Sequence, residues 1–294
     1  MDIFGVPLQL MFGQLMLGLI NGSFYAVLSL GLAVIFGLMS VINFSHGTMY
    51  MLGAFAAWLL LENLGVGYWS ALILVPIFVG GFGIVVERTM LRRLYDLDHL
   101  YGLLLTFGLA LVLEGGFRYF FGVSGKSYAV PDALTGAKNL GFMYLPTYRG
   151  WVIVASIVIC FAVWVMIEKT RIGALLRAAT ESPMLVQNLG YNVPLLTTLT
   201  YGFGVGLAAL AGVLAAPLYS INPLMGTNII IVVFAVVVIG GMGSILGAIV
   251  TGLSLGLIEG LTKVYYPEAS NIVVFVLMAI VLMVKPRGIF GRAA

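Results

Sequence analysis

Few side chains in this sequence could act on a substrate. The 294 residues hold 2 histidines and 1 cysteine beside 11 Asp and Glu. His46 and His99 have no cysteine or carboxylate cluster around them at the spacing of a metal site. Cys160 lies in the apolar run 151–167 and reads as a small buried apolar residue, with no second cysteine to pair with. Asp96 and Asp98 fall in a charged gap, so no aspartate pair lies inside an apolar run. Gly125-Lys126-Ser127 imitates the end of a phosphate-binding loop, but Phe120 stands where that motif needs glycine. Gly204-Val205-Gly206-Leu207-Ala208-Ala209 imitates a dinucleotide fingerprint inside an apolar helix with no strand before it, and reads as packing. No catalytic residue, metal ligand or bound cofactor is expected of this chain.

The remaining polar groups suit passage better than catalysis. Asn43, Ser45 and His46 precede an apolar helix, and Ser45 is placed to cap it. Such a helix start points free N–H groups and the positive end of its dipole at a cavity, which suits a carboxylate. Gly240, Gly241, Gly243 and Ser244 repeat the arrangement later in the chain. These seven residues are the candidate translocation pathway, although His46 reads equally as a satisfied helix-start histidine. Phe36-Gly37-Leu38-Met39-Ser40 faintly resembles Gly240-Gly241-Met242-Gly243-Ser244, a hint of internal repetition. Among acidic groups in or beside apolar runs, Glu62 and Glu259 read as interfacial and Glu114 as paired with Arg118. A structural role is preferred for all three.

These residues must be positioned by elements that live in lipid. Hydrophobic residues make up 62% of the chain and charged residues 9%, against roughly 25% charged in soluble domains. Mean hydropathy is +1.13. Backbone groups in a bilayer need internal partners, and the apolar runs are continuous rather than alternating, which selects helices over a barrel. The expectation is an all-α polytopic membrane protein with eight to ten transmembrane or half-membrane helices, forming a single permease domain over 1–294. The runs are approximately 9–39, 46–62, 69–87, 100–121, 150–168, 194–217, 228–262 and 271–285. The first and seventh are too long for one straight crossing, so breaks are expected at Asn21-Gly22-Ser23 and at 240–244. No basic stretch precedes the first run, so no cleaved leader is expected. Most of the 14 Lys and Arg fall near Arg88, Arg92 and Arg93, near Lys169, Arg171 and Arg177, or in the tail with Lys285, Arg287 and Arg292. The positive-inside rule makes these segments cytoplasmic and favours an external N-terminus. The net charge of +3 is not gathered on a soluble face, so nucleic acid is not a partner. Glycines at spacing four, as in Gly18/Gly22, Gly202/Gly206, Gly243/Gly247 and Gly252/Gly256/Gly260, predict close helix packing.

The cytoplasmic stretch 169–193 is too long for a simple connection and is not a flexible linker. Ile172, Leu175, Leu176 and Ala179 fall at helical spacing. Ser182-Pro183 starts a second short helix with Leu185, Val186 and Leu189 on one face, and Gly190 stops it. Asn192-Val193-Pro194 starts the next crossing. Two such helices either lie flat among headgroups or form a knob for a groove on a soluble partner. Arg177 and Glu181, one turn apart, either pair or remain a solvated surface couple.

The run TRIGALLRAATESPMLVQNLGYN over 170–192 resembles the coupling loop of the LivH/LivM family, the membrane subunits of branched-chain amino acid ABC importers. VINFSHGTMYMLG over 41–53, VIGGMGSILGA over 238–248 and KPRGIFGR over 285–292 match the LivH type. The resemblance spans nearly the whole chain. It implies a permease subunit of the bacterial inner membrane that moves branched-chain or other hydrophobic amino acids by alternating access. It also implies partners: a second, LivM-type permease, two ATP-binding subunits that bind ATP and Mg, and a periplasmic substrate-binding protein. Gly173, Arg177, Ala178, Glu181 and Gly190 are the implied coupling residues. Relatives that carry urea or short amides leave that substrate open, and an ion-coupled secondary transporter is the rival in mechanism.

Overall fold

Nine apolar helices carry the chain among the described residues of a computed structural model. These residues are 2–291 apart from 4, 5, 40, 41, 96, 140 and 142. Ser40, Val41, Asp96 and Arg292, named above, lie outside them. The apolar helices are α1 (Leu8–Met39), α2 (Ser45–Leu64), α3 (Tyr68–Thr89), α4 (His99–Phe121), α5 (Thr147–Lys169), α8 (Val193–Ala215), α9 (Met225–Gly240), α10 (Ile245–Tyr265) and α11 (Val273–Val284). Two short helices, α6 (Arg171–Glu181) and α7 (Pro183–Asn188), lie between α5 and α8. Six helices, α1, α3, α4, α5, α8 and α10, are long and apolar enough to cross a bilayer, while α9 and α11 are shorter. The chain is an all-α polytopic membrane protein.

The expected break in the first run does not occur. α1 is continuous over 32 residues because Asn21, Gly22 and Ser23 find partners within α1 or on α10. Ser23 Oγ donates back to the Leu19 carbonyl at 2.8 Å, a bond that a helix tolerates. Gly22 meets the α10 backbone, and Asn21 Nδ2 donates to Glu259 Oε1 at 3.5 Å. The second expected break does occur. Gly241 and Gly243 hold φ of 102° and 82° between α9 and α10, a region that favours glycine.

The chain forms two compact units, one from Met1–Ser29, Val130–Phe161 and Val232–Ala294, the other from Leu30–Ala129 and Ala162–Ile231. In the first, the start of α1 packs on α10 through glycines. A Cβ on Gly18 would run into the Gly256 carbonyl and approach the Gly260 Cα within 3.1 Å. Ala235, Val236, Ile239, Leu255 and Val274 form a buried cluster with Tyr25 against it. The tail closes the end of α9. Ile289 N–H donates to the Ile239 carbonyl at 2.8 Å and Phe290 N–H to the Gly240 carbonyl at 3.1 Å. These carbonyls have no intrahelical donor.

The second unit is built on α8, which is buried nearly all round, as an evenly apolar helix must be. Small residues bring α2 and α3 against it. A Cβ on Gly53 would collide with the Ala209 carbonyl, and one on Gly80 would lie 2.8 Å from the Gly202 carbonyl.

Candidate functional site

The first candidate region is the pair α6 and α7. α6 folds back against the end of α5 because Gly173 has no side chain; a Cβ there would overlap the Ile167 carbonyl. Arg177 Nη1 donates to that carbonyl at 2.5 Å and lies 3.4 Å from Glu168 Oε2. A cation at a helix C-terminus satisfies an orphan carbonyl and complements the dipole. Arg177 therefore pairs with the end of α5, not with Glu181 one turn away. Pro183 takes the first position of α7, and Gly190 follows that helix at φ 91°. Asn192 caps α8 by accepting from Leu195 N–H at 3.0 Å. Ala179, Val186 and Val193 form a buried cluster seated on Leu38 of α1 and Leu196 of α8, with Leu175 beside them. The opposite face carries exposed Ile172 (57%), Met184 (74%), Leu185 (64%) and Leu189 (77%). Of the five coupling candidates, Gly173 and Arg177 turn inward, while Ala178, Glu181 and Gly190 are exposed.

Asn43, Ser45 and His46 are wholly buried. Ser45 does not cap α2. It lies in the first turn, and its hydroxyl donates to Asn43 Oδ1 at 2.6 Å. Asn43 Nδ2 donates to Tyr201 Oη at 3.1 Å. The backbone N–H of Phe44 donates to Thr106 Oγ1 at 3.2 Å. These bonds join the start of α2 to α4 and α8, and the His46 ring lies against Gly31 of α1. In the other unit, Ser244 caps α10 by accepting from Gly247 N–H at 3.1 Å. Gly240 and Gly247 pack backbone to backbone, and Gly241 lies under Gly291 of the tail. The pathway candidates thus fall in two separate clusters, one per unit.

Two carboxylates depart from expectation. Glu114 accepts from Thr227 Oγ1 at 2.7 Å, and no Glu114–Arg118 ion pair forms among the described residues. Glu259 is buried rather than interfacial. It accepts from Tyr25 Oη at 2.8 Å and pairs with Lys263 Nζ at 2.5 Å. Glu62 is exposed near the end of α2, as an interfacial residue would be.

Sequence reasoning missed Glu87. It stands beside Arg88 at the end of an apolar run, yet it is 0% exposed. Tyr95 Oη donates to its Oε1 at 2.6 Å and Thr198 Oγ1 to its Oε2 at 2.7 Å. Desolvation and the carboxylate together push the Tyr95 phenol above its ordinary range, so it stays a donor. The signal was Thr198 in the apolar run of α8, a hydroxyl with no loop to explain it. Tyr95 also lines a cavity of about 200 Å³ within the second unit. No group of three or more metal-ligating residues occurs among the described residues.

A family model described as the permease component of the branched-chain amino acid transport system matches residues 14–282. LivH, the high-affinity branched-chain amino acid permease protein of Escherichia coli K12, is 30% identical, with 95% of each chain covered. BraD of Pseudomonas aeruginosa, named for the same transport role, is 31% identical, again over 95% of each chain. LivM of Escherichia coli K12 is 25% identical over 90% of this chain and 67% of its own length. No solved structure matches the chain.

Proposed function

The chain belongs to the branched-chain amino acid transport permease family, and on that premise we propose that it is the LivH-type membrane subunit of an ATP-binding cassette importer. It moves branched-chain or other apolar amino acids across the bacterial inner membrane. The observation that carries this reading is the α6–α7 knob. Its inner face is fixed to α1, α5 and α8, and its outer face presents Ile172, Met184, Leu185 and Leu189. A large apolar patch on a water-facing segment marks a protein or membrane contact. Here the patch is held rigidly to membrane helices, as a force-transmitting contact requires.

ATP and Mg are bound by two partner subunits, and this chain hydrolyses nothing. A LivM-type permease completes the pathway, and a periplasmic receptor delivers the substrate. Closure of the ATPases displaces α6 and α7. Arg177 passes the displacement to α5, and the Leu38 and Leu196 contacts pass it to α1 and α8. Alternating access follows if that displacement favours one of two preexisting states. The Asn43–His46 cluster and the 240–244 turn contribute to the passage. Ile-, Leu- and Val-sized substrates need no charge partner for their side chains, which agrees with a pathway lined by apolar helices.

Purification of the tagged chain with its genomic neighbours, followed by reconstitution, tests this directly. Leucine uptake should require external receptor and ATP on the ATPase side. Uptake by the isolated chain driven by an ion gradient would establish a secondary transporter instead, and transport of urea but not leucine would reassign the substrate.

A further inference from the structure

The 200 Å³ cavity lies between the C-terminus of α1, the turn Leu91–Leu94, and the starts of α4 and α8. Pockets for drug-sized ligands run about 300–1,000 Å³, so its occupant is small. Leu38, Met39, Leu91 and Leu94 give it an apolar wall, with Tyr95, His99 and Thr197 as polar members. Leu38 also belongs to the seat of the coupling helices, and Thr197 adjoins it. Leu38 packs against the Ala179–Val186–Val193 cluster. Thr197 Oγ1 donates to the carbonyl of Val193, a member of that cluster, at 3.1 Å. The cavity and the seat therefore share a wall. Anything that props this wall shifts the seat, and whatever moves the seat changes affinity for the occupant, because such coupling is reciprocal.

The lining also specifies the occupant. The Tyr95 proton is committed to Glu87, which leaves the phenol oxygen as an acceptor for an ammonium group. His99, exposed at the rim, offers a ring N–H to a carboxylate. Leucine and methionine side chains supply most of the remaining lining. A small aliphatic amino acid has this distribution of charge and apolar surface.

Resting on the importer reading, which places this face on the ATPase side, we infer that the cavity is a regulatory site for the accumulated aliphatic amino acid. The internal pool thereby slows coupling. The site is separate from the passage residues around Asn43 and 240–244, none of which lines it.

The test uses the complete importer in liposomes, with ATPases facing a lumen loaded with ATP and either no amino acid or millimolar L-leucine. Receptor-stimulated ATP hydrolysis is read, because exchange of label cannot mimic it. Lumenal leucine should slow the wild type several-fold. Leu94→Trp fills the cavity from a residue outside the seat cluster and should remove the slowing, each rate being compared with its own leucine-free control. Should Leu94→Trp fail to assemble, His99→Ala at the exposed rim decides: the leucine concentration for half-slowing should rise about tenfold. Equal wild-type rates with and without leucine would overturn the inference, as would slowing unchanged in both variants. Absence of any receptor- and ATP-dependent uptake would instead sink the importer reading, and this inference with it.

Discussion

Arg177 shows how a side chain can matter for a partner it does not touch. Its guanidinium is engaged by the Ile167 carbonyl and Glu168, so its role is to hold α6 on α5. Hydrogen bonds to charged groups contribute about 1.5–3 kcal/mol, and each 1.4 kcal/mol is tenfold in an equilibrium. Arg177→Ala should therefore cut ATP-driven uptake about tenfold or more while the ATPases still co-purify, and Arg177→Lys should restore part of it. Glu259 and Lys263 form a second internal pair, with side chains 10% and 35% exposed. Removing one member of a buried pair leaves the other uncompensated. Lys263→Met should thus lower stability by about 2 kcal/mol, less than for full burial because of the lysine's exposure. The double variant Glu259→Gln/Lys263→Met should regain most of that loss in a detergent melting series. Residue types were legible in the sequence, but their partners were not. Arg177 has Glu181 one turn away and chose Glu168, because Gly173 lets α6 fold onto the end of α5. Glu87 went unremarked because one of its two hydroxyl partners, Thr198, is remote in sequence and hidden within an apolar run.

Helices in this chain meet through glycine, and the consequences differ sharply from one glycine to the next. Gly53 faces the Ala209 backbone, whereas a Cβ added at Gly81 would meet nothing within 4 Å. Overpacking costs about 1–3 kcal/mol, while alanine improves on glycine in a helix by about 0.5–1 kcal/mol. Gly53→Ala should lower the melting temperature of the purified complex, and Gly81→Ala should leave it unchanged or raise it. Spacing alone exposed the ladder Gly252/Gly256/Gly260, since small residues every four positions line one helix face. Spacing also placed Gly18 and Gly22 on one packing face, which meets α10. Only the break expected at Asn21-Gly22-Ser23 failed, because the Asn21 bond to Glu259 is a long-range contact with no local signature. The break at 240–244 was legible because two glycines close together, at Gly241 and Gly243, are needed for positive φ. The tail motif was visible, but not its place, since capping of α9 by Ile289 and Phe290 joins segments far apart in the chain.

At the scale of the whole molecule, class and architecture followed from composition, because a chain so poor in charge has lipid as its solvent. The division into two units did not, since α1, α5 and α9 each pass through a unit boundary without a break. The account rests on one mechanical claim: ATP hydrolysed by partners drives this permease through the exposed face of α6 and α7. Leu185 and Leu189 are exposed there and lie outside the seat cluster, so replacing both by serine leaves the seat intact. The decisive measurement is receptor- and ATP-dependent leucine uptake by proteoliposomes carrying Leu185→Ser/Leu189→Ser, alongside the amount of ATPase retained on the tagged chain. The account predicts that both fall together, by at least tenfold. Wild-type uptake with the ATPases fully retained would contradict it.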